Sequence, residues 1–242
     1  MPVATPIKFR AEVSRVVRHD ADLATYEFRY RDRRPRYKPG QFLHLALDPY
    51  DPSSHWPESR VFTIANGVCN RDFIRLTISA KGRFTKRILD ELRVGRSVWM
   101  KGPYGEFIVR TAPEYEVVLI GGGTGVTPFV AFMEDVMVQT VADEVWLHYG
   151  ARRADLLVFA DLALRWAAQR PNFHLQLYAE DGIRAGITPG RIAMEAVPAS
   201  LTSPGTAQFY LCGPRPMIDV FSDRLRRDFG VCPGRIHLDQ WE

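Results

Sequence analysis

The stretch Val117-Val118-Leu119-Ile120-Gly121-Gly122-Gly123-Thr124-Gly125-Val126-Thr127-Pro128 constrains this chain more than any other. Four consecutive apolar residues read as a strand buried on both faces, the kind found in parallel sheets. Glycines follow at once, and an apolar helical stretch, Phe129 to Val138, follows them. Strand, glycine turn and helix together bring backbone N–H groups and a helix N-terminus up to a phosphate. A side chain at the turn would block that approach and disfavour positive φ. Taken alone, the segment fits either a nucleotide-phosphate site or a tight turn in an α/β domain.

The spacing is G-x-G-x-G over Gly121, Gly123 and Gly125, not the G-x-G-x-x-G of the common dinucleotide fingerprint. The next apolar strand, Val145 to Tyr149, ends in Gly150-Ala151-Arg152-Arg153 and not in a carboxylate. A nucleotide bound here is held by another scheme.

Around this segment the pattern divides. Before Thr111 the chain reads as short strands rich in β-branched and aromatic residues: Lys8 to Val17, Ala24 to Tyr30, Gln41 to Leu47, Arg60 to Asn66, Phe73 to Ser79 and Ser97 to Lys101. Turn residues separate them, as in Lys38-Pro39-Gly40 and Asn66-Gly67. One helical insert, Thr85 to Leu92, interrupts the strands, with Thr85 expected as its N-cap. This predicts an antiparallel β-barrel, closed or nearly so. After Thr111, apolar strands at 117–120, 145–149, 173–178 and 207–212 alternate with helical stretches at 127–139, 155–170, 191–197 and 214–229. That alternation predicts βαβ units and a doubly wound parallel sheet. The fold class is therefore a two-domain β plus α/β chain, a barrel over residues 1–110 and an α/β domain over 111–242.

Composition fits a globular protein that folds without staples: 46% of residues are apolar and 25% charged. No apolar run approaches the ~20 residues of a membrane helix, and the N-terminus lacks a basic, then apolar, secretion signal. Three cysteines, Cys69, Cys212 and Cys232, suit a reducing, cytoplasmic setting. They are too few for a four-thiolate iron–sulfur cluster, and no metal site is expected. The formal charge is +4, with a basic run from Arg29 through Arg31, Arg33, Arg34 and Arg36 to Lys38 that holds a single acid, Asp32. That run is either a solvated loop or a docking patch for an acidic protein. Nucleic acid is not expected, because no stacking platform is interleaved with the charges.

Two further segments carry chemistry. In Arg60-Val61-Phe62-Thr63, strand alternation puts Arg60 and Phe62 on one face and Val61 and Thr63 on the other. Arg60 offers a planar cation suited to phosphate, and Phe62 a flat apolar surface. In Lys81-Gly82-Arg83-Phe84-Thr85, the start of a helix offers N–H groups and a hydroxyl to an anion, or is a cap and nothing more.

In their order along the chain these segments resemble the ferredoxin–NADP⁺ reductase superfamily of flavin- and nicotinamide-dependent reductases. Pro39-Gly40-Gln41-Phe42 is similar to the turn before its flavin strands, Arg60 to Thr63 to its R-x-Y-[ST] motif, and Gly82 to Thr85 to its G-x-x-[ST] segment. Gly102-Pro103-Tyr104-Gly105-Glu106-Phe107 resembles its G-P-x-G-x-F hairpin, Gly121 to Pro128 its nicotinamide loop, and Cys212-Gly213-Pro214-Arg215-Pro216-Met217 its C-G-P-x-P-M motif. The resemblance covers nearly the whole chain.

It implies FAD as cofactor and NADH or NADPH as co-substrate. FMN would replace FAD if Gly82 to Thr85 were only a cap. By the resemblance, Arg60, Gly82, Arg83, Phe84 and Thr85 hold the flavin phosphates. Val61, Phe62, Thr63, Thr77 and Ile78 line the rest of the flavin. Gly123, Thr124, Gly125, Thr127, Gly213, Pro214 and Met217 meet the nicotinamide nucleotide. Thr63, Cys212 and Asp239 lie near the reacting ring atoms, and Trp241 either stacks on the flavin or closes the domain. The chain departs from the family at Phe62, where Tyr is usual, and at Asp239, where Glu is usual. Ala179-Glu180-Asp181 stands where NADPH-preferring members often carry Ser-Arg; its carboxylates favour a ribose 2′-hydroxyl over a 2′-phosphate. Arg152, Arg153 or Arg184 are the basic residues able to restore that charge.

The implied activity is hydride transfer from NAD(P)H to FAD by a monomeric enzyme. Electrons then pass to an acidic ferredoxin or flavodoxin, or to an oxygenase component. Two alternatives stand beside it, an NAD(P)H:free-flavin reductase and a non-catalytic nucleotide-binding subunit.

Overall fold

The computed structural model describes residues 5–69, 72–112, 114–136, 144–182, 184–199 and 201–239. The chain divides into two compact units, Met1–Ile108 with Thr127–Val138, and Val109–Val126 with Gln139–Glu242.

The first unit is an antiparallel sheet of six strands: β1 (Ile7–Asp20), β2 (Leu23–Tyr30), β3 (Phe42–Ala46), β4 (Ser59–Thr63), β5 (Phe73–Ser79) and β6 (Ser97–Tyr104). Their order is β4-β3-β6-β1-β2-β5. β1 is long enough to serve two neighbours, pairing with β6 over Ile7–Glu12 and with β2 from Ala11 onward. A register shift between Val13 and Arg15 bends it, since an extra residue increases the local twist. The chain leaving β4 at one edge reaches β5 at the other, where the Ala65 N–H donates to the Arg75 carbonyl at 2.8 Å. The sheet thereby curls into the expected barrel.

Inward positions fill the barrel with Phe9, Val13, Tyr26, Phe28, Leu43, Leu45, Ile74, Leu76, Val98 and Met100. Helix α1 (Arg83–Glu91) closes one side with Phe84, Ile88 and Leu89, a 3.6-period face buried in the same cluster. Each such side chain contributes about 1.5–3 kcal/mol by leaving water. Arg87, on the other side of α1, grips both Asp48 carboxylate oxygens and also Glu91. That guanidinium holds the Asp48 carboxyl below its usual range.

Helix α2 (Thr127–Val136) packs with the barrel through its acidic end. Glu134 accepts from the Gly67 N–H at 2.9 Å and pairs with Arg75 at 2.6 Å, while Asp135 accepts from the Val68 N–H at 2.9 Å.

The second unit is a parallel sheet of β7 (Val117–Gly122), β8 (Val145–Arg153), β9 (Phe173–Asp181), β10 (Ile187–Pro189), β11 (Gln208–Cys212) and β12 (Ile236–Asp239), ordered β10-β9-β8-β7-β11-β12. Val117 to Ile120 are fully buried, which is why β7 reads as an unbroken apolar run. From β7 the chain steps outward through β8, β9 and β10, then returns to lay β11 and β12 on the other side. The strand order thus reverses between β7 and β11, a topological switch point.

The helices of this unit are α3 (Ala160–Gln169), α4 (Ala196–Ala199) and α5 (Arg215–Arg227). All three are shorter than their sequence patterns predict, α5 by only one or two residues at each end. Residues 154–156 form a separate 3-10 turn before α3. Of 191–197 only the end is helical, in the single turn α4. The parallel strands β10 and β12 have no counterpart in the periodicity reading, because each has only three or four residues. Among the described residues no helix is long and apolar enough to cross a membrane, and no group of three His, Cys, Asp or Glu side chains could hold a metal.

Candidate functional site

The barrel's edge strand carries the first cluster. Arg60 pairs with Leu45 and Phe62 with Leu43, so both point to the side of the sheet that carries core residues. Phe62 packs half-buried against that core. Arg60 lies at the open edge, about half exposed, with its guanidinium 5.1 Å from the Phe84 ring centroid. Val61 and Thr63 pair with His44 and Phe42 and take the opposite face. The alternation read from the sequence therefore holds.

The start of α1 corrects one expectation. Thr85 is not the N-cap; Gly82 is, with extended backbone (φ −150°). Thr85 stands three residues on, where its hydroxyl accepts from the Lys81 and Gly82 N–H groups at 2.8 and 3.0 Å and donates to the Gly82 carbonyl. A glycine can cap with backbone alone, which leaves the hydroxyl free to fold the approach loop onto the helix. The N–H groups of Arg83, Phe84 and Thr85 have no acceptor within the helix, as in any first turn. A Cβ at Gly82 would meet nothing within 4 Å, and Arg83 extends into solvent. A pyrophosphate needs cations and N–H donors clear of bulky neighbours, and this segment with Arg60 meets that need.

Other expected flavin contacts are committed elsewhere. The Phe84 and Ile78 side chains belong to the barrel core. The Thr77 hydroxyl bonds the Thr25 hydroxyl at 2.9 Å on the face of the sheet opposite the core residues Leu76 and Ile78, and His19 joins Thr25. Phe84 and Ile78 thus face the core with their side chains and the outside with their backbone.

Two glycine motifs of the barrel fit together. A Cβ on Gly40 (φ +93°) would lie 1.9 Å from the Phe107 carbonyl oxygen, and one on Gly105 (φ +97°) 2.8 Å from the Phe42 ring. Gln41 ties the two segments, donating to the Gly105 carbonyl at 3.1 Å. The segment Gly102 to Phe107 is not a hairpin: β6 runs on through Tyr104, and irregular backbone follows.

In the parallel sheet, the glycine turn after β7 and the turn after β11 interlock. A Cβ on Gly125 would lie 2.3 Å from the Cys212 carbonyl oxygen, and one on Gly122 2.8 Å from Pro214 Cδ and 2.9 Å from Met217 Sδ. One on Gly213 would fall 2.9 Å from Met217 Cε. Two sequence motifs far apart in the chain thus form one glycine-lined floor at the switch point. Gly123 stands above it at φ +57°, with open space on its Cβ side. Thr124 lies in the same 3-10 turn, and Thr127 opens α2.

Cys212 ends β11 in register with Gly121 on one side and Asp239 on the other. Its thiol donates to Asp239 Oδ2 at 3.5 Å. Burial, reinforced by the neighbouring carboxylate, pushes the thiol's pKa well above its ordinary value. It is a protonated donor at neutral pH, not a thiolate. Trp241 lies outside the described residues.

At the far end of the sheet, β9 runs through Glu180 and Asp181. Glu180 is paired with Arg191 at 2.9 Å, and Arg153 with Asp155 at 2.7 Å. Arg191 and Glu58 are charged neighbours that the sequence reading missed. Glu58 lies 3.1 Å from Arg60 and 3.7 Å from Arg83. Its only sequence signal was its place two residues before Arg60.

The basic run is partly neutralised. Arg31 pairs with Glu12, Arg34 with Asp72, and Asp32 with Arg10. Arg29, Arg33, Arg36 and Lys38 are exposed without a carboxylate partner among the described residues.

Two family models match the chain in succession. One, described as an oxidoreductase FAD-binding domain, covers residues 8–108, and the other, an oxidoreductase NAD-binding domain, covers 119–223. The chain is 30% identical over 196 residues to the reductase component of phenol 2-monooxygenase from Pseudomonas sp. strain CF600, covering 78% of this chain and 53% of that protein. It is 27% identical over 206 residues to the toluate 1,2-dioxygenase electron transfer component of Pseudomonas putida, covering 85% and 59%. The chain therefore spans little more than half the length of these curated relatives. Its fold is that of the flavohem-like FAD/NAD binding domain of nitric oxide dioxygenase from Vibrio cholerae O1 biovar El Tor, with TM-score 0.83, 22% identity, and 96% and 98% of the two chains covered.

Proposed function

The chain belongs to the ferredoxin–NADP⁺ reductase superfamily, and from that premise we propose that it is an FAD-dependent NAD(P)H reductase supplying electrons to a separate acceptor protein of an oxygenase system. The observation that carries this reading is the interlocked glycine floor of Gly122, Gly125 and Gly213 at the switch point, with Cys212 beneath it. Relatives described as reductase or electron transfer components of oxygenases support the kind of acceptor.

When bound, the flavin would supply the hydride-accepting and electron-releasing chemistry, so the hard chemistry is the cofactor's. The chain's own residues bind and orient. Arg60, Arg83 and the first N–H groups of α1 hold the phosphates. Phe62 offers ring packing without the hydroxyl of the usual Tyr. Thr63 would orient the reacting ring through its hydroxyl. Gly123 and Gly125 let the nucleotide approach the backbone, with Thr124 and Thr127 at the rim of the turn. Cys212 holds a neutral thiol whose proton Asp239 accepts as a hydrogen bond. Asp181, at the end of β9, favours a ribose 2′-hydroxyl and hence NADH, while Glu180 is held by Arg191.

The test is the visible spectrum of the purified protein before and after NADH is added without oxygen. A flavin spectrum that bleaches supports the reading. Absence of bound flavin moves the assignment to a free-flavin reductase, and flavin that NADH fails to bleach moves it to a binding subunit.

A further inference from the structure

The Glu58 carboxylate lies between the two guanidinium groups expected to hold the flavin pyrophosphate, with Oε1 3.1 Å from Arg60 and Oε2 3.7 Å from Arg83. Glu58 is exposed and immediately precedes the first residue of β4, at the end of a loop that starts with Asp48. Arg60 is also fixed by other means, since it donates to the Ser59 carbonyl at 2.8 Å and stacks over Phe84. Arg83 is almost wholly exposed and has no such support.

We propose that Glu58 is an intramolecular anion that competes with the flavin pyrophosphate for Arg60 and Arg83, and thereby sets how tightly this chain holds its flavin. The inference rests on the reading of Arg60 and Arg83 as phosphate ligands and adds a regulator to that site. A carboxylate and a phosphate present the same acceptor geometry to a guanidinium. Flavin binding must therefore displace Glu58 or tolerate its negative charge beside the two charges of the pyrophosphate. Either way the carboxylate opposes binding. The pairs are exposed, so each is weak and screened by salt.

The experiment measures flavin affinity on the apoprotein of the full chain, by quenching of flavin fluorescence, for wild type, Glu58→Gln, Glu58→Asp and Arg60→Ala. FAD and riboflavin are the probes, because riboflavin has no phosphate. Glu58→Gln is expected to lower the Kd for FAD about three- to tenfold, with the gain shrinking as salt rises. Its Kd for riboflavin stays at the wild-type value, and Glu58→Asp stays near wild type for both. Unchanged or weaker FAD binding in Glu58→Gln overturns the proposal, because the carboxylate would then be neutral or would hold the arginines in place. Equal gains for FAD and riboflavin overturn it too, since the effect would not act through phosphate. Failure of the underlying reading looks different: Arg60→Ala would then bind FAD as wild type does, whatever Glu58 does.

Discussion

Cys212 and Asp239 face each other across adjacent parallel strands, and the Cys212 thiol donates to Asp239 Oδ2 at 3.5 Å. The pairing combines a residue that ends one apolar strand with one near the end of the chain. Burial and the carboxylate keep the sulfur protonated. Cys69 and Cys232 are exposed. Titration with a thiol reagent at pH 8 will therefore modify Cys69 and Cys232 quickly, and Cys212 only after denaturation. Rapid labelling of all three in the folded protein would contradict this environment for Cys212.

Thr63→Ala will slow flavin reduction more than it weakens flavin binding. The hydroxyl is assigned to orientation at the reacting ring, and misorientation costs on the order of 10²-fold in rate. Stopped-flow reduction by NADH gives the rate and fluorescence titration the affinity. Reduction at the wild-type rate would remove Thr63 from the site.

Gly125→Ala will destabilise the parallel-sheet unit by about 3 kcal/mol, the upper part of the overpacking range. Its Cβ would sit 2.3 Å from a backbone oxygen of Cys212, which cannot swing aside as a side chain can. Gly205→Ala, where a Cβ meets nothing within 4 Å, is the control. Chemical denaturation of both variants checks the contrast. Equal stabilities would mean the two turns are not interlocked.

His148 makes stability depend on pH. It is buried on β8, its Nδ1 3.3 Å from the Tyr178 hydroxyl, and burial lowers its pKa to about 4. The unfolded chain takes up that proton at about pH 6.5. The folded-state pKa is depressed, so the contribution is complete above pH 6.5 and is lost as pH falls toward 4. The loss amounts to roughly 3 kcal/mol. His148→Phe will flatten the stability profile over that interval. Parallel profiles for the two proteins would show that His148 titrates normally.

The unpaired Arg33 and Arg36 will matter to a protein acceptor and not to a small one. Arg33→Gln with Arg36→Gln is expected to raise KM for an acidic protein acceptor at low salt on the order of 3–10-fold, leaving NADH–ferricyanide turnover unchanged. Arg31→Gln, which breaks a pair with Glu12, will do less. The same KM in both variants would exclude this segment as the docking patch.

Sequence by itself determined the longer elements, though not β10 or β12, and the chemistry that depends on local spacing. Strand alternation put Arg60 and Phe62 on one face because a period of two is fixed by the backbone. The unbroken apolar run at Val117 to Ile120 announced a doubly covered strand, and the glycines after it a turn without side chains. What it could not determine lies in pairings between distant segments. Only the tertiary structure set Gly125 against Cys212, put Glu58 between Arg60 and Arg83, and moved the N-cap of α1 from Thr85 to Gly82. Each of these depends on where one backbone passes another. Such distances arise from sheet order and loop path, and neither leaves a periodic trace in the residues involved.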